Sequence, residues 1–228
     1  MQDPDFEPPV NPLPPIVILT FLAIAGVEAG LSLGEAGIIG GPGAVGWRLE
    51  LIRDYGFSGQ IFDWMQANGR WPLAEVVRVF TYPFIHLGFT HSLFAMVLLL
   101  ALGKMVAEVM GPLTYALIFV LSGAGGAVIY GLLLNDPMWL VGAYPNAYGL
   151  IGGYTFVMWR QLAGTGAQQY RAFTLIAFLM GIQLVWGVFF DVGTQWVAEL
   201  FGFILGFALC FVMAPGEWGR IVEALRRR

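Results

Sequence analysis

From Leu113 to Leu134 the chain runs without a single charged residue, and the centre of that run is Ser122-Gly123-Ala124-Gly125-Gly126-Ala127. A helix of about 20 apolar residues crosses a bilayer, and no other environment suits so long an uncharged helix as well. Small residues in its middle let neighbouring backbones approach closely. Similar runs extend over Ile16–Leu33, from about Val76 to Val109, from Tyr144 to about Leu162, over Ala172–Phe190 and over Trp196–Met213. The spacing predicts an all-α membrane protein with six transmembrane helices.

Composition narrows the function classes. The chain is 58% hydrophobic and 11% charged, where soluble domains carry about 25% charged residues. The net charge of −4 leaves no basic surface for nucleic acid. The single cysteine, Cys210, excludes an internal disulfide. No phosphate-binding loop, HExxH helix or clustered metal ligands are present, so neither a cofactor nor a metal is expected.

Residues 1–15 are acidic and proline-rich and are expected to form an irregular tail. Residues 16–213 are expected to form one membrane domain, and 214–228 a basic tail. The first apolar run does not read as a secretory signal, because no positive region precedes it. Glu28 interrupts it and is expected at the interface or capped by a neighbouring helix. Residues 34–75 are too polar to span and too aromatic for a free loop. Trp47, Leu51 and Tyr55 share one face, with Arg48, Glu50, Arg53 and Asp54 opposite. Ser58 is placed to cap a second helix carrying Ile61, Phe62 and Met65. Two amphipathic helices in the membrane interface follow, anchored by Trp47, Trp64 and Trp71.

If both termini share a side, that side holds Lys104, Arg160, Arg171, Arg220, Arg226, Arg227 and Arg228. The other side holds Arg48, Arg53, Arg70 and Arg78, all in or beside the long first connection, and its two short loops hold none. The asymmetry puts both termini in the cytoplasm. Tyr148 then sits near the outer face, at the start of an inward-running helix.

The polar residues of the spans carry further information. Arg78-Val79-Phe80-Thr81 leads into His86-Leu87-Gly88-Phe89-Thr90-His91-Ser92-Leu93-Phe94-Ala95. The fourth span opens with Asn146-Ala147-Tyr148-Gly149, and the sixth contains Ala198-Glu199-Leu200-Phe201-Gly202-Phe203-Ile204-Leu205-Gly206. In order, spacing and topology these stretches resemble the rhomboid intramembrane serine proteases over roughly residues 16–213. The resemblance implies a six-helix rhomboid-like bundle with a long interfacial helical loop between its first two spans. It also implies a serine in a Gly-x-Ser-Gly motif on span four and a histidine base on span six. A His-x-x-x-Asn pair on span two would support the oxyanion. Such chemistry needs a base within reach of the hydroxyl and donors at the developing oxyanion.

The chain departs at each decisive position. Tyr148 stands at the nucleophile position, Asn146 at the motif's first glycine, Glu199 at the base and Ala95 at the oxyanion asparagine. His91, at the oxyanion histidine position, is kept. So are the scaffold residues His86, Arg78, Gly149, Gly202 and Gly206, while Val77 replaces a tryptophan that often precedes the arginine. Gly149, Gly152 and Gly153 offer a flat helix face, and Gly202 and Gly206 a matching one. A phenol is a good leaving group, so its attack on an amide tends to reverse. A carboxylate of ordinary pKa about 4 is a poor base for it. Tyr148 is instead expected to donate to Glu199, or Glu199 to accept from His91. His86 and His91, read as lying on one helix, would face apart and not share a metal.

These substitutions give the reading of a rhomboid pseudoprotease that binds transmembrane segments of client proteins within the lipid bilayer. It would act on their folding, trafficking or turnover, from the cytoplasmic (inner) membrane of a bacterium. The alternatives are an active rhomboid-type intramembrane serine endopeptidase, or another hydrolase, with a non-standard site. A transporter using Glu28, Glu108 and Glu199 as a proton path is a third class.

Overall fold

The computed structural model describes residues 12–134, 136–190 and 193–213. The tails over 1–11 and 214–228, which include four of the arginines used for topology, lie outside the described residues, as does Asp191. Nine α-helices occur among the described residues: α1 Pro15–Glu35, α2 Trp47–Tyr55, α3 Gly59–Asn68, α4 Leu73–Thr81, α5 Phe89–Met110, α6 Pro112–Leu133, α7 Tyr144–Thr165, α8 Thr174–Phe189 and α9 Trp196–Met213. Two short strands, β1 Phe57–Ser58 and β2 Trp139–Leu140, pair antiparallel.

Five of the described helices are long and apolar enough to cross a membrane: α1, α5, α6, α8 with the turn before it, and α9. The sixth member of the bundle, α7, is as long as α5 and α6 but carries more polar residues. It can do so because it sits inside. Every residue from Pro145 to Gly153 is buried, and α7 packs against α5, α6 and α9. A helix enclosed by protein does not have to match lipid.

The spans turn where the sequence supplies turn residues. Gly111, at φ +90°, alone separates α5 from α6, and Pro112 starts α6, where its missing N–H costs nothing. Gly166 ends α7 in the left-handed conformation.

The second span differs from expectation. The apolar stretch from Val76 is not one helix. Pro83 cannot continue α4; Tyr82–Phe84 form one tight 3-10 turn, Ile85 is extended, and the spanning helix begins only at Phe89. The short amphipathic α4 lies with α2 and α3 at the end of the bundle where α7 begins, here called the mouth. Ser58 caps α3 by accepting from the Ile61 N–H at 3.3 Å. Phe62 and Met65 are buried under it, and Trp64 and Trp71 are exposed.

The mouth is fixed by side chains that bond to backbone. The Tyr82 hydroxyl donates to the Gly123 carbonyl at 2.9 Å, and the Gly142 N–H donates to the Tyr82 carbonyl at 3.0 Å. Arg78 donates to the carbonyls of Arg53 (2.5 Å) and Gly56 (3.1 Å) and pairs with Glu75 at 2.5 Å. Its guanidinium also lies 5.5 Å from the Trp139 ring centroid. One arginine thus ties α2, α4 and the β2 strand together.

Candidate functional site

A close contact between α7 and α9 sets the site. A Cβ on Gly206 would collide with the Gly149 carbonyl, one on Gly202 with the Pro145 carbonyl, and one on Gly152 with the backbone of Phe203 and Phe207. Glycine on both helices therefore lets α7 and α9 touch backbone to backbone. On the other side, Asn146 lies over Gly123 of α6 and donates to the Phe119 carbonyl at 2.8 Å.

That contact brings Tyr148 of α7 and Glu199 of α9 together. Both are buried, at 3% and 7% exposure. The Tyr148 phenol comes close enough to the Glu199 carboxyl to interact with it. The carboxyl has a further partner: the Gln183 side-chain amide of α8 donates to Glu199 Oε2. Sequence reasoning passed over Gln183. The available signal was that it is the one amide or charged side chain between Leu175 and Phe189.

His91 does not reach Glu199. Its Nδ1 accepts from the Leu87 N–H at 3.3 Å, and its ring lies against Tyr144 with centroids 4.8 Å apart. The Tyr144 hydroxyl donates to the His91 carbonyl at 3.1 Å. Of the two expected arrangements, the one in which Glu199 accepts from His91 is not formed, and the Gln183 amide donates to the carboxyl instead.

His86 also departs from its expected place. It lies before α5, not on it, and its ring meets that of His91 edge-on with centroids 5.4 Å apart. The two rings are together, not apart, yet each spends a nitrogen on backbone. His86 Nε2 accepts from the Ala143 N–H at 3.2 Å. Burial, and next the neighbouring His91, hold the His86 imidazole down at about 4. It is neutral at pH 7, and Nε2 is free to accept. Among the described residues no three His, Cys, Asp or Glu side chains group as metal ligands.

Ala95 is fully buried and shares the core with Tyr148, Met96 and Phe203. A methyl at that position offers no donor. Tyr148 packs within this core.

A second polar cluster forms around Glu28 and Arg48. Arg48 is not on the solvated face of α2: it is buried, with Ile52 beside it, while Tyr55 is exposed. Its guanidinium bridges both Glu28 oxygens at 2.9 and 3.0 Å, Glu35 at 2.5 Å and the His86 carbonyl at 2.7 Å. The bonds to Glu35 first, and to Glu28, raise its pKa above the ordinary arginine value against the opposing pull of burial. Ser32 donates to Glu28 at 2.8 Å. Glu28 is therefore capped by a neighbouring helix, and the cap is ionic.

Glu28, Glu108 and Glu199 do not form one path. Glu28 pairs with Arg48, Glu108 lies 3.8 Å from Lys104 at the opposite end of the bundle, and Glu199 bonds to Gln183.

Comparison with known proteins agrees with this architecture. Residues 73–216 match the model of the Rhomboid domain. The chain is 30% identical over 138 residues to "RHOMBOID-like protein 1" of Arabidopsis thaliana, covering 60% of this chain and 34% of that protein. It is 27% identical over 139 residues to "RHOMBOID-like protein 4" of the same plant, with 60% and 34% covered. It is 28% identical over 149 residues to "Putative rhomboid protease YdcA" of Bacillus subtilis (strain 168), with 64% and 69% covered. The matched part spans about a third of the length of the two plant relatives. With the domain match covering more than half of the sequence, and a bundle of apolar helices around α7, the chain belongs to the rhomboid family.

Proposed function

We propose that this rhomboid is not a protease and that it binds transmembrane segments of client membrane proteins, influencing their folding, trafficking or turnover. The observation that carries the reading is the state of Glu199. The carboxyl at the base position accepts from Gln183 and faces a phenol that fills the nucleophile position. A serine protease of this fold needs a free base, a small nucleophile and an oxyanion donor. Here the first is engaged, the second is bulky and the third is Ala95. Meanwhile the glycines that build the fold are kept. A membrane bundle that keeps its shape and loses its chemistry retains the ability to bind other helices. The charge asymmetry of the loops supports both termini in the cytoplasm. The bacterial inner membrane is the location that goes with this reading.

The test is a cleavage assay in reconstituted membranes against a transmembrane substrate with a destabilised helix. Wild type is compared with Tyr148→Phe and with the triple variant Tyr148→Ser, Glu199→His and Ala95→Asn. Absence of wild-type cleavage, with activity gained by the triple variant, is the expected result. Wild-type cleavage that disappears in Tyr148→Phe would make the phenol a nucleophile and overturn the reading.

A further inference from the structure

The corner between α3 and α4 encloses a small pocket at the mouth. Gly69, at φ +60°, ends α3, and α4 starts directly after Pro72. The pocket has a volume of about 310 Å³ and is lined by Gln60, Ile61 and Trp64 of α3 and by Pro72 and Glu75. Trp64 is 46% exposed. Beside the pocket, α4 exposes Leu73, Val77 and Phe80, an apolar stripe at i, i+4 and i+7. A helix with such a stripe rests in the membrane interface with the stripe among the acyl chains, and tryptophans sit at the headgroups. The pocket therefore opens at headgroup level.

Its lining selects by charge and by size. Among the described residues Glu75 is the one charged group that lines it, and an indole such as that of Trp64 is the best ring face for a cation. Arg78 is not part of the lining. Its Nε pairs with Glu75 Oε2 at 2.5 Å, and its Nη1 donates to the carbonyls of Arg53 and Gly56. An ionised carboxylate accepts at about four positions, so the pair leaves Glu75 able to face a second cation. An anionic headgroup would meet a carboxylate and no lining cation. A client helix is too large, since one helical turn occupies roughly 400 Å³ by its diameter and pitch. A small alkylammonium group meets a ring face and a carboxylate, the two features that such cations need.

We propose that the α3–α4 pocket binds the alkylammonium head of a zwitterionic phospholipid. The ammonium lies over the Trp64 ring and beside Glu75, the phosphate faces outwards, and the acyl chains run along Leu73, Val77 and Phe80. The bound lipid bridges the two interfacial helices and fixes the depth at which they rest. The site uses none of the residues around Tyr148 and Glu199, so it does not rest on the helix-binding reading.

The experiment titrates the full chain in detergent micelles with phosphatidylcholine and, separately, with phosphatidylglycerol, and native mass spectrometry counts the bound lipids. Trp64→Leu is expected to weaken phosphatidylcholine binding about two- to thirty-fold, the range of a cation–ring contact. It should leave phosphatidylglycerol binding unchanged. Trp64→Phe keeps a ring and should lose less than Trp64→Leu. Glu75→Gln should also weaken phosphatidylcholine alone. Trp71→Leu removes a neighbouring exposed tryptophan that does not line the pocket, and it should change neither lipid. Free choline should displace phosphatidylcholine, and its uncharged isostere 3,3-dimethylbutanol should not. Phosphatidylcholine binding that is unchanged in both Trp64→Leu and Glu75→Gln would overturn the site. Equal losses for both lipids, or an equal loss in Trp71→Leu, would make Trp64 a general interface anchor and overturn it too. Free choline that binds as tightly as phosphatidylcholine would overturn the assignment to a lipid.

Discussion

α9 and α8 are neighbours of similar apolarity, yet they are held in opposite ways. α9 lies on α7 through glycines on both sides, with a backbone carbonyl where a Cβ would go. α8 buries one residue along its length and is tied at the mouth by one side-chain amide. Hydropathy does not distinguish them, because lipid and protein interiors are equally apolar. What separates them is steric: where the backbone is bare, helices weld, and where bulky side chains stand out, they only lean. The candidate site sits where the welded part meets the leaning part. Tyr148 and Glu199 belong to the weld, and Gln183 reaches them from outside.

The welded part has an ionic counterpart at α1, and breaking it should have the largest effect. Arg48→Leu leaves Glu28 buried with no cation. Removing one partner of a buried pair costs about 3–5 kcal/mol. Unfolding in mixed micelles should show a loss of that order, and the double variant Glu28→Leu with Arg48→Leu should recover much of it. Equal instability of single and double variants would mean that Arg48 acts by packing and not by charge.

Next is the weld itself. Gly206→Ala places a methyl on the Gly149 carbonyl and Cα. Neither helix can yield without moving backbone, so the change should cost about 1–3 kcal/mol as overpacking. The measurement is again the unfolding midpoint. A neutral outcome would mean that α9 is as free to shift as α8, and the contrast between them would fail.

Most of this was legible in the sequence, and what was not has a common cause. The apolar runs, the glycine face of α7 and its match on α9 are local periodic signals, and they led to the bundle and to the meeting of Tyr148 with Glu199. The break between α4 and α5 was hidden because an interfacial helix such as Leu73–Thr81 is as apolar on one face as the start of a span; Pro83 was the mark to read. Arg48 and Gln183 were missed for a different reason. A charge on an amphipathic helix is normally solvated, and a lone amide in an apolar run has no periodic context. Their partners, Glu28 and Glu199, are 20 and 16 residues away in sequence. Only the packing of helices reveals which polar residues meet. His86 and His91 show the same limit. Helical geometry sets them apart, but the turn at Pro83 brings the rings together.

The smallest effect should come from the leaning helix and should have the opposite sign. Gly181 lies in the middle of α8, and a Cβ there would meet nothing within 4 Å. With no steric obstacle, what remains is the entropy a helical glycine loses on folding, so Gly181→Ala should stabilise by roughly 0.5–1 kcal/mol. The same chemical change that damages α9 at Gly206 should thus improve α8, measured by the same unfolding midpoint. A loss at Gly181 would point to a partner surface on α8 that requires a bare backbone there. α8 would then be a second weld waiting for its other half.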